Sequence, residues 1–188
     1  MRHKYATEAI VLGRTPLGEA SSLVWLLTRE LGLVRARAQG VRKPGAKLAA
    51  PLQTLAQSDV ILLKGKEGWR LSGAILAENH FDCLDAGSRE RAGRIASLML
   101  RLVSDDMEGD TYTLFTEYLE VLPTLEEDEQ DAAETLAALY LLQEAGVDAG
   151  ATVPQEAGRF GLAARTYANE NRKDLIMRVN RGIEASGL

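Results

Sequence analysis

Cysteine is almost absent from this chain. Cys83 stands alone among 188 residues, so no intramolecular disulfide can form. A reducing, cytoplasmic location is the simplest expectation. Histidine is nearly as scarce, and His3 and His80 lie in unrelated segments. With Cys83 they give scattered ligands too poorly spaced for a zinc site, so no metal and no cofactor are expected. No apolar run approaches the roughly 20 residues needed to span a bilayer, and no apolar signal region follows the basic start. No membrane association is expected. Also missing are the phosphate-cradling G-x-x-x-x-G-K-[ST], the dinucleotide G-x-G-x-x-G and the nucleophile elbow G-x-S-x-G. Gly65-Lys66 lacks the upstream glycine that a phosphate loop requires. Without a nucleophile–base pair or a metal cluster, the chain is not expected to be an enzyme.

Positive charge is missing from a long internal stretch. No Lys or Arg falls between Arg101 and Arg159, whereas 14 Asp/Glu fall between Asp105 and Asp148. The net charge of −5 hides this division. Residues 1–83 hold 12 Lys/Arg against 7 Asp/Glu, a net of +5; residues 84–188 hold 10 against 20, a net of −10. Such asymmetry points to a polyanion partner on one side or an acidic interaction surface on the other.

The amino-terminal half reads as strands. Ala9-Ile10-Val11-Leu12 is a short apolar run closed by Gly13 and Pro16, and residues 21–31 are rich in Val, Trp, Leu and Thr up to Gly32. Over 33–40, Val34, Ala36 and Ala38 alternate with Arg35 and Arg37, the period of a half-buried strand. Arg42-Lys43-Pro44-Gly45 is a turn signal, and 47–55 holds a short helix or an irregular connection. Val60–Leu63 is a strand, Lys64–Gly68 a glycine-bearing hairpin, and Trp69–Leu76 the strand that pairs back. Five strands with these turns predict a small barrel of the OB type, although an SH3-like barrel reads almost the same.

Beyond Cys83 the period changes. Ala92, Ile95, Ala96, Met99, Leu102 and Val103 form a helical stripe, and Phe115, Tyr118, Leu119 and Leu122 repeat it. Thr124 and Glu127 read as a capping box before a helix carrying Leu136, Ala137, Leu139, Tyr140 and Leu142, ended by Gly146. A last helix is expected near 169–185, capped by Asn169 or Asn171, with Leu175, Ile176, Val179 and Ile183 buried. Residues 146–162 form a glycine-bearing connector. The predicted fold class is therefore α+β: a five-stranded OB-fold β-barrel over 1–82, then an α-helical bundle over 83–188.

The candidate chemistry lies on the barrel. Arg35 and Arg37 project from one strand face, Arg42, Lys43 and Lys47 continue into the adjoining loop, and no acidic residue falls between 31 and 58. Such an array suits phosphate contacts that release counterions. Arg14 extends it, and Lys64, Lys66 and Arg70 form a second cluster; the alternative is an ordinary charged surface. Of the aromatics in this half, Trp25 shares parity with Leu23 and Leu27 and is expected in the core, while Trp69 either is exposed or plugs the barrel end. The stacking platform is therefore thin, favouring backbone contacts over base readout. In the second half the carboxylates at 126–129 and 131 are expected to form a solvated helix start rather than a Mg²⁺ or Ca²⁺ site. The acidic stretch reads as a solvated helical face, or as a docking surface for a basic partner.

The ordered combination Ala9-Ile10-Val11-Leu12, Pro16-Leu17-Gly18-Glu19-Ala20-Ser21-Ser22, Leu26 to Leu33, Arg35 to Lys43, Leu52-Gln53 and Gly65-Lys66-x-Gly68-Trp69-x-Leu71 resembles the start of the bacterial RecO recombination mediators. The resemblance covers about the first 80 residues. It implies an OB-fold followed by a helical domain, and non-catalytic work in DNA repair. That work is binding single- and double-stranded DNA without sequence specificity, annealing complementary strands and helping to load recombinase. The partners it implies are RecR and the acidic, Phe-ending tail of single-strand-binding protein, and the place it implies is the cytoplasm, on the nucleoid. By position it makes Arg35, Arg37, Arg42, Lys43 and Lys47 the leading DNA-contact candidates. The four-cysteine zinc motif of many relatives is missing, and the helical half matches loosely, best at Leu141–Gly146. The candidate partner-binding residues there are Arg172, Lys173, Leu175, Ile176 and Arg178. Two other readings of the chain are a docking adaptor that works through its acidic helices and an RNA-binding OB module.

Overall fold

The computed structural model describes residues 3–41, 45–103, 110–148, 150 and 153–187. The chain divides into two compact units, Met1–Cys83 and Leu84–Leu188.

The first unit is a closed barrel of five strands. These are β1 (His3–Leu17), β2 (Ser21–Thr28), β3 (Gly32–Ala38), β4 (Ala56–Gly65) and β5 (Gly68–Asn79), arranged in the order β1-β2-β3-β5-β4. Closure comes from β1, which pairs antiparallel with both β2 and β4. β3 and β5 meet in parallel through only Ala36↔Trp69 and Arg37↔Arg70. Alternation then sorts the side chains: Ala9, Val11, Val24, Leu26, Val34, Ala36, Val60, Leu62 and Leu71 fill the interior. The 47–55 connection is a succession of turns rather than a helix, closed by bonds from the Ala49 amide to the Ala46 carbonyl and from the Gln53 amide to the Ala50 carbonyl. Its Leu48 and Leu52 pack against the barrel core. Lys66 and Glu67 make a two-residue turn between the paired Gly65 and Gly68. Gly68 holds a φ of +95°, a conformation that L side chains rarely adopt. A short helix α1 (His80–Cys83) ends the unit.

The second unit is helical: α2 (Ala86–Leu102), α3 (Thr111–Val121), α4 (Glu127–Glu144), α5 (Leu162–Glu170) and α6 (Arg172–Ala185). α4 is the centre, packing against α2, α3, α5 and α6. Its run from Leu136 to Leu142 is buried throughout, as expected of a helix surrounded on several sides. The predicted stripes of α2 and α3 face inward, with Ala92, Ile95, Ala96, Met99, Phe115, Tyr118 and Leu119 all buried. Asp85 caps α2 by accepting the Ser88 amide at 2.7 Å, which holds its carboxyl below the ordinary range. Gly146, at φ +71°, ends α4 as expected.

Two local expectations are corrected. Thr124 is not an N-cap: it closes a 3-10 turn, Leu122–Thr124, and its hydroxyl donates back to the Val121 carbonyl at 2.6 Å. Pro123 shapes that turn, and Glu126 takes the cap position without a side-chain bond. The expected last helix is α6, with Asn171 at its N-cap position (φ −108°, ψ 20°); the Asn171 side-chain amide donates back to the Tyr167 carbonyl of the preceding helix α5. On α6 only Leu175 of the predicted stripe is buried: Ile176 is 40% exposed, and Val179 and Ile183 are half-buried. Gly182 faces α4 instead, where a Cβ would stand 2.9 Å from Leu142 Cδ1.

Candidate nucleic-acid interface

β3 is the element that presents charge. Val34, Ala36 and Ala38 point into the barrel, so Arg35 and Arg37 must point out, and both are exposed. The parallel register sets Arg70 of β5 beside Arg37. The Arg70 guanidinium donates to Gln39 Oε1 at 3.0 Å, which orients it. Arg37, Lys66 and Arg70 line one open cleft of about 460 Å³ at the β4–β5 hairpin, together with Trp69 and one acidic residue, Glu67. Trp69 is half-buried against the barrel core and meets Tyr5 edge-on at 5.2 Å, so it plugs the barrel end. Lys64 lies across the strand pair from it, with Nζ 5.0 Å from the indole centroid.

The remaining candidates are placed less compactly. Arg14 is exposed but sits opposite Val24, an inward position, so it lies on the other face of the β1–β2 pair from Arg35. It does not extend the β3 array. Lys47 is exposed in the turns after β3. Arg42 and Lys43 lie outside the described residues.

Trp25 corrects an expectation. Its parity with Leu23 holds, but the barrel-facing residues of β2 are Val24 and Leu26. Trp25 is half-buried on the outer surface, directly opposite Arg35 on one side and Gly13 on the other. A sequence signal existed: residues 25 and 35 are symmetric about Glu30, at the centre of the turn that ends at Gly32.

Charge pairing separates the two units. Among the described residues, Arg14, Arg35, Arg37, Lys47, Lys64, Lys66 and Arg70 form no ion pair with a carboxylate; in the barrel Arg29 does, with Glu8 at 3.1 Å. In the helical unit, arginines pair with carboxylates across the bundle. Arg91 meets Asp131 at 2.6 Å, Arg94 meets Glu134 at 2.6 Å, Arg159 meets Glu117 at 3.1 Å and Arg165 meets Glu129 at 3.3 Å. Arg172 meets Asp131 at 2.9 Å, and Arg178 meets Asp148 at 2.6 Å.

Much of the acidic stretch is therefore neutralised from within its own unit. Burial would raise the Asp131 and Asp148 carboxyls, but hydrogen bonds and charge from Arg91 and Arg172, and from Arg178, hold both below the ordinary range. Glu144 is the contrary case: burial pushes its carboxyl up despite Arg159 at 3.9 Å. The carboxylates at 127, 129 and 131 all face arginines rather than forming an open cation site.

The same pairing divides the partner-binding candidates. Arg172 and Arg178 are committed to Asp131 and Asp148, and Leu175 is buried at 1% exposure. Lys173 and Ile176 are exposed. The five do not form one outward patch. Ile176, Val179 and Ile183 instead line an open groove of about 440 Å³ shared with Ile95 and Leu98 of α2.

A five-stranded barrel closed in the order β1-β2-β3-β5-β4, with an unpaired cationic row on its third strand, is a module of the OB class. Residues 1–79 match the family model described as "Recombination protein O N terminal". The chain is 38% identical over 112 residues to the DNA repair protein RecO of Heliobacterium modesticaldum, covering 58% of this chain and 41% of that protein. It is 40% identical over 80 residues to that of Synechococcus elongatus, covering 43% of this chain and 30% of that protein. It is 42% identical over 64 residues to that of Dehalococcoides mccartyi, covering 34% of this chain and 25% of that protein. The matches thus span less than half the length of these relatives. Over residues 1–79 the chain is similar to the amino-terminal domain of the RecO proteins.

Proposed function

We propose that this protein binds DNA through the outer face of its barrel and acts as a non-catalytic mediator of recombinational repair. The observation that carries this reading is the contrast in pairing. Among the described residues, Arg35, Arg37, Lys66 and Arg70 of the barrel have no carboxylate partner, although Arg29 has one in Glu8, whereas the helical unit engages most of its cations. Unpaired guanidinium groups on a rigid strand lose little on meeting phosphates and release the counterions of the nucleic acid. Arg35, Arg37, Lys66 and Arg70 are the core of the proposed site. Lys64 adjoins it across the strand pair from Trp69, Lys47 follows in the next turns, Arg42 and Lys43 are included on the sequence alone, and Arg14 lies apart from it.

Annealing follows from the same electrostatics, since a cationic face neutralises two backbones and raises the local concentration of complementary strands. Help in loading recombinase, a partnership with RecR, contact with the tail of single-strand-binding protein and residence on the nucleoid are further parts of this proposal. They are drawn from the family. For the tail, the ion pairs of Arg172 and Arg178 leave Lys173 and Ile176 as the residues to test. A docking role for the acidic helices is less favoured, because Glu117, Glu129, Asp131, Glu134 and Asp148 already face arginines of their own unit.

The test is fluorescence anisotropy with single- and double-stranded oligonucleotides at low salt. The protein is compared with a variant carrying Arg35, Arg37, Arg42 and Lys43 all changed to Ala. Loss of binding with the barrel still folded supports the proposal. Unchanged affinity refutes it, and a strong preference for RNA in competition moves the assignment to an RNA-binding module.

A further inference from the structure

We propose that Trp25 is a base-stacking residue that makes this face favour unpaired strands over duplex. The inference rests on the DNA-binding reading above and goes further, to what the face distinguishes.

The register carries it. Trp25 and Arg35 are directly opposed on β2 and β3, where side chains share a face at roughly 5 Å between Cβ atoms. The interior is filled by Val24, Leu26, Val34 and Ala36, so the barrel core does not include the indole. On its other flank stands Gly13, next to a bulge between Val11 and Gly13. Gly13 contributes no side chain of its own beside the ring, although Ile10 and Leu27 further along the same face are buried. The outer row therefore runs from a half-buried glycine to a half-buried indole to the exposed Arg35, with Arg37 about 7 Å further along β3. An aromatic ring beside two unpaired guanidinium groups suits one nucleotide of a flexible strand: the base on the ring, the phosphates on Arg35 and Arg37.

The other tryptophan does not do this. Trp69 packs against the core and Tyr5, with Lys64 over its ring. A duplex keeps its bases stacked on each other, so it offers the same guanidinium groups phosphates but offers the indole nothing. Trp25 should thus contribute to one substrate only. The competing account is purely structural, with the ring covering Gly13 as aromatics do on sheets.

Trp25→Leu keeps an apolar cover but no π-face, and Trp25→Phe keeps both. The expected result with oligo-dT is a loss of roughly 5- to 100-fold for Trp25→Leu, much less for Trp25→Phe, and near-unchanged duplex affinity for both. In Trp69→Phe, Trp25 is the remaining one of the 2 tryptophans, and oligo-dT but not duplex should quench its fluorescence. Equal losses for both substrates, or no loss for Trp25→Leu together with no quenching, overturn the proposal. If Arg35→Ala/Arg37→Ala still weakens binding in that case, the phosphate-binding reading stands alone. If the unaltered protein binds neither substrate, both readings fall.

Discussion

Removing two of the outward arginines should change the salt dependence of DNA binding by a calculable amount. Arg35, Arg37, Lys66 and Arg70 are four exposed cations of one neighbourhood, three of them around a single cleft. Each phosphate neutralised contributes a slope of about −0.7 on single strands and about −0.9 on duplex to log affinity against log salt. If all four engage, the slopes are about −2.8 and −3.6, and raising salt from about 50 to about 200 mM weakens single-strand binding about 50-fold. Arg35→Ala/Arg37→Ala should halve the slopes to about −1.4 and −1.8, so the same salt step costs only about 7-fold. Both positions are outward and make no ion pair, so stability should move by about 0.5 kcal/mol or less for each. Anisotropy titrations at several salt concentrations read the slopes directly. A variant that binds more weakly but keeps its full slope would refute the reasoning, because those arginines would then not be the groups displacing counterions.

Two further predictions concern the helical unit. Arg178 and Asp148 are only 15% and 10% exposed, so Arg178→Ala strands a largely buried carboxylate and should cost roughly 3 kcal/mol in urea unfolding. A Cβ at Gly150 would overlap the Arg178 guanidinium, so Gly150→Ala should cost part of the same energy and add nothing in the double variant; full additivity contradicts this. Acid should melt the helices before the barrel. Asp131 and Asp148 titrate lower folded than unfolded, so their stabilisation is present above the ordinary value of 3.8 and is lost as pH falls below it. Both tryptophans lie in the barrel, so circular dichroism at 222 nm should change at higher pH than tryptophan emission. Coincident transitions argue against it.

The legibility of the sequence followed the range of the interactions. The strict alternation of β3 was readable because small apolar residues and arginines differ sharply. β2 was harder, since Leu23 to Leu27 are all apolar and either parity satisfies a core; only pairing with β1 and β3 puts Trp25 outside. Thr124 and Glu127 have capping-box spacing, but Pro123 and the preceding helix turn the chain into a 3-10 turn first. The division of charge was plain from composition. Its internal resolution was not, because Arg91, Arg94, Arg165, Arg172 and Arg178 find carboxylates 30 to 41 residues away in the sequence. No local pattern reports a bond of that length. The family-model match stops at residue 79, near the end of the barrel, whereas the 112-residue match to the Heliobacterium protein runs on into the helical half.

The two-residue junction between β3 and β5 has a thermodynamic consequence. It is the thinnest seam of the barrel, and it sets the like charges of Arg37 and Arg70 side by side, an arrangement that costs energy across strands. An anion lodged between them removes that repulsion and bridges the two strands, acting as a clasp. Anything that binds the folded barrel in this way also raises its stability by mass action. The melting temperature of this barrel is then a gauge of how fully its charged wall is occupied.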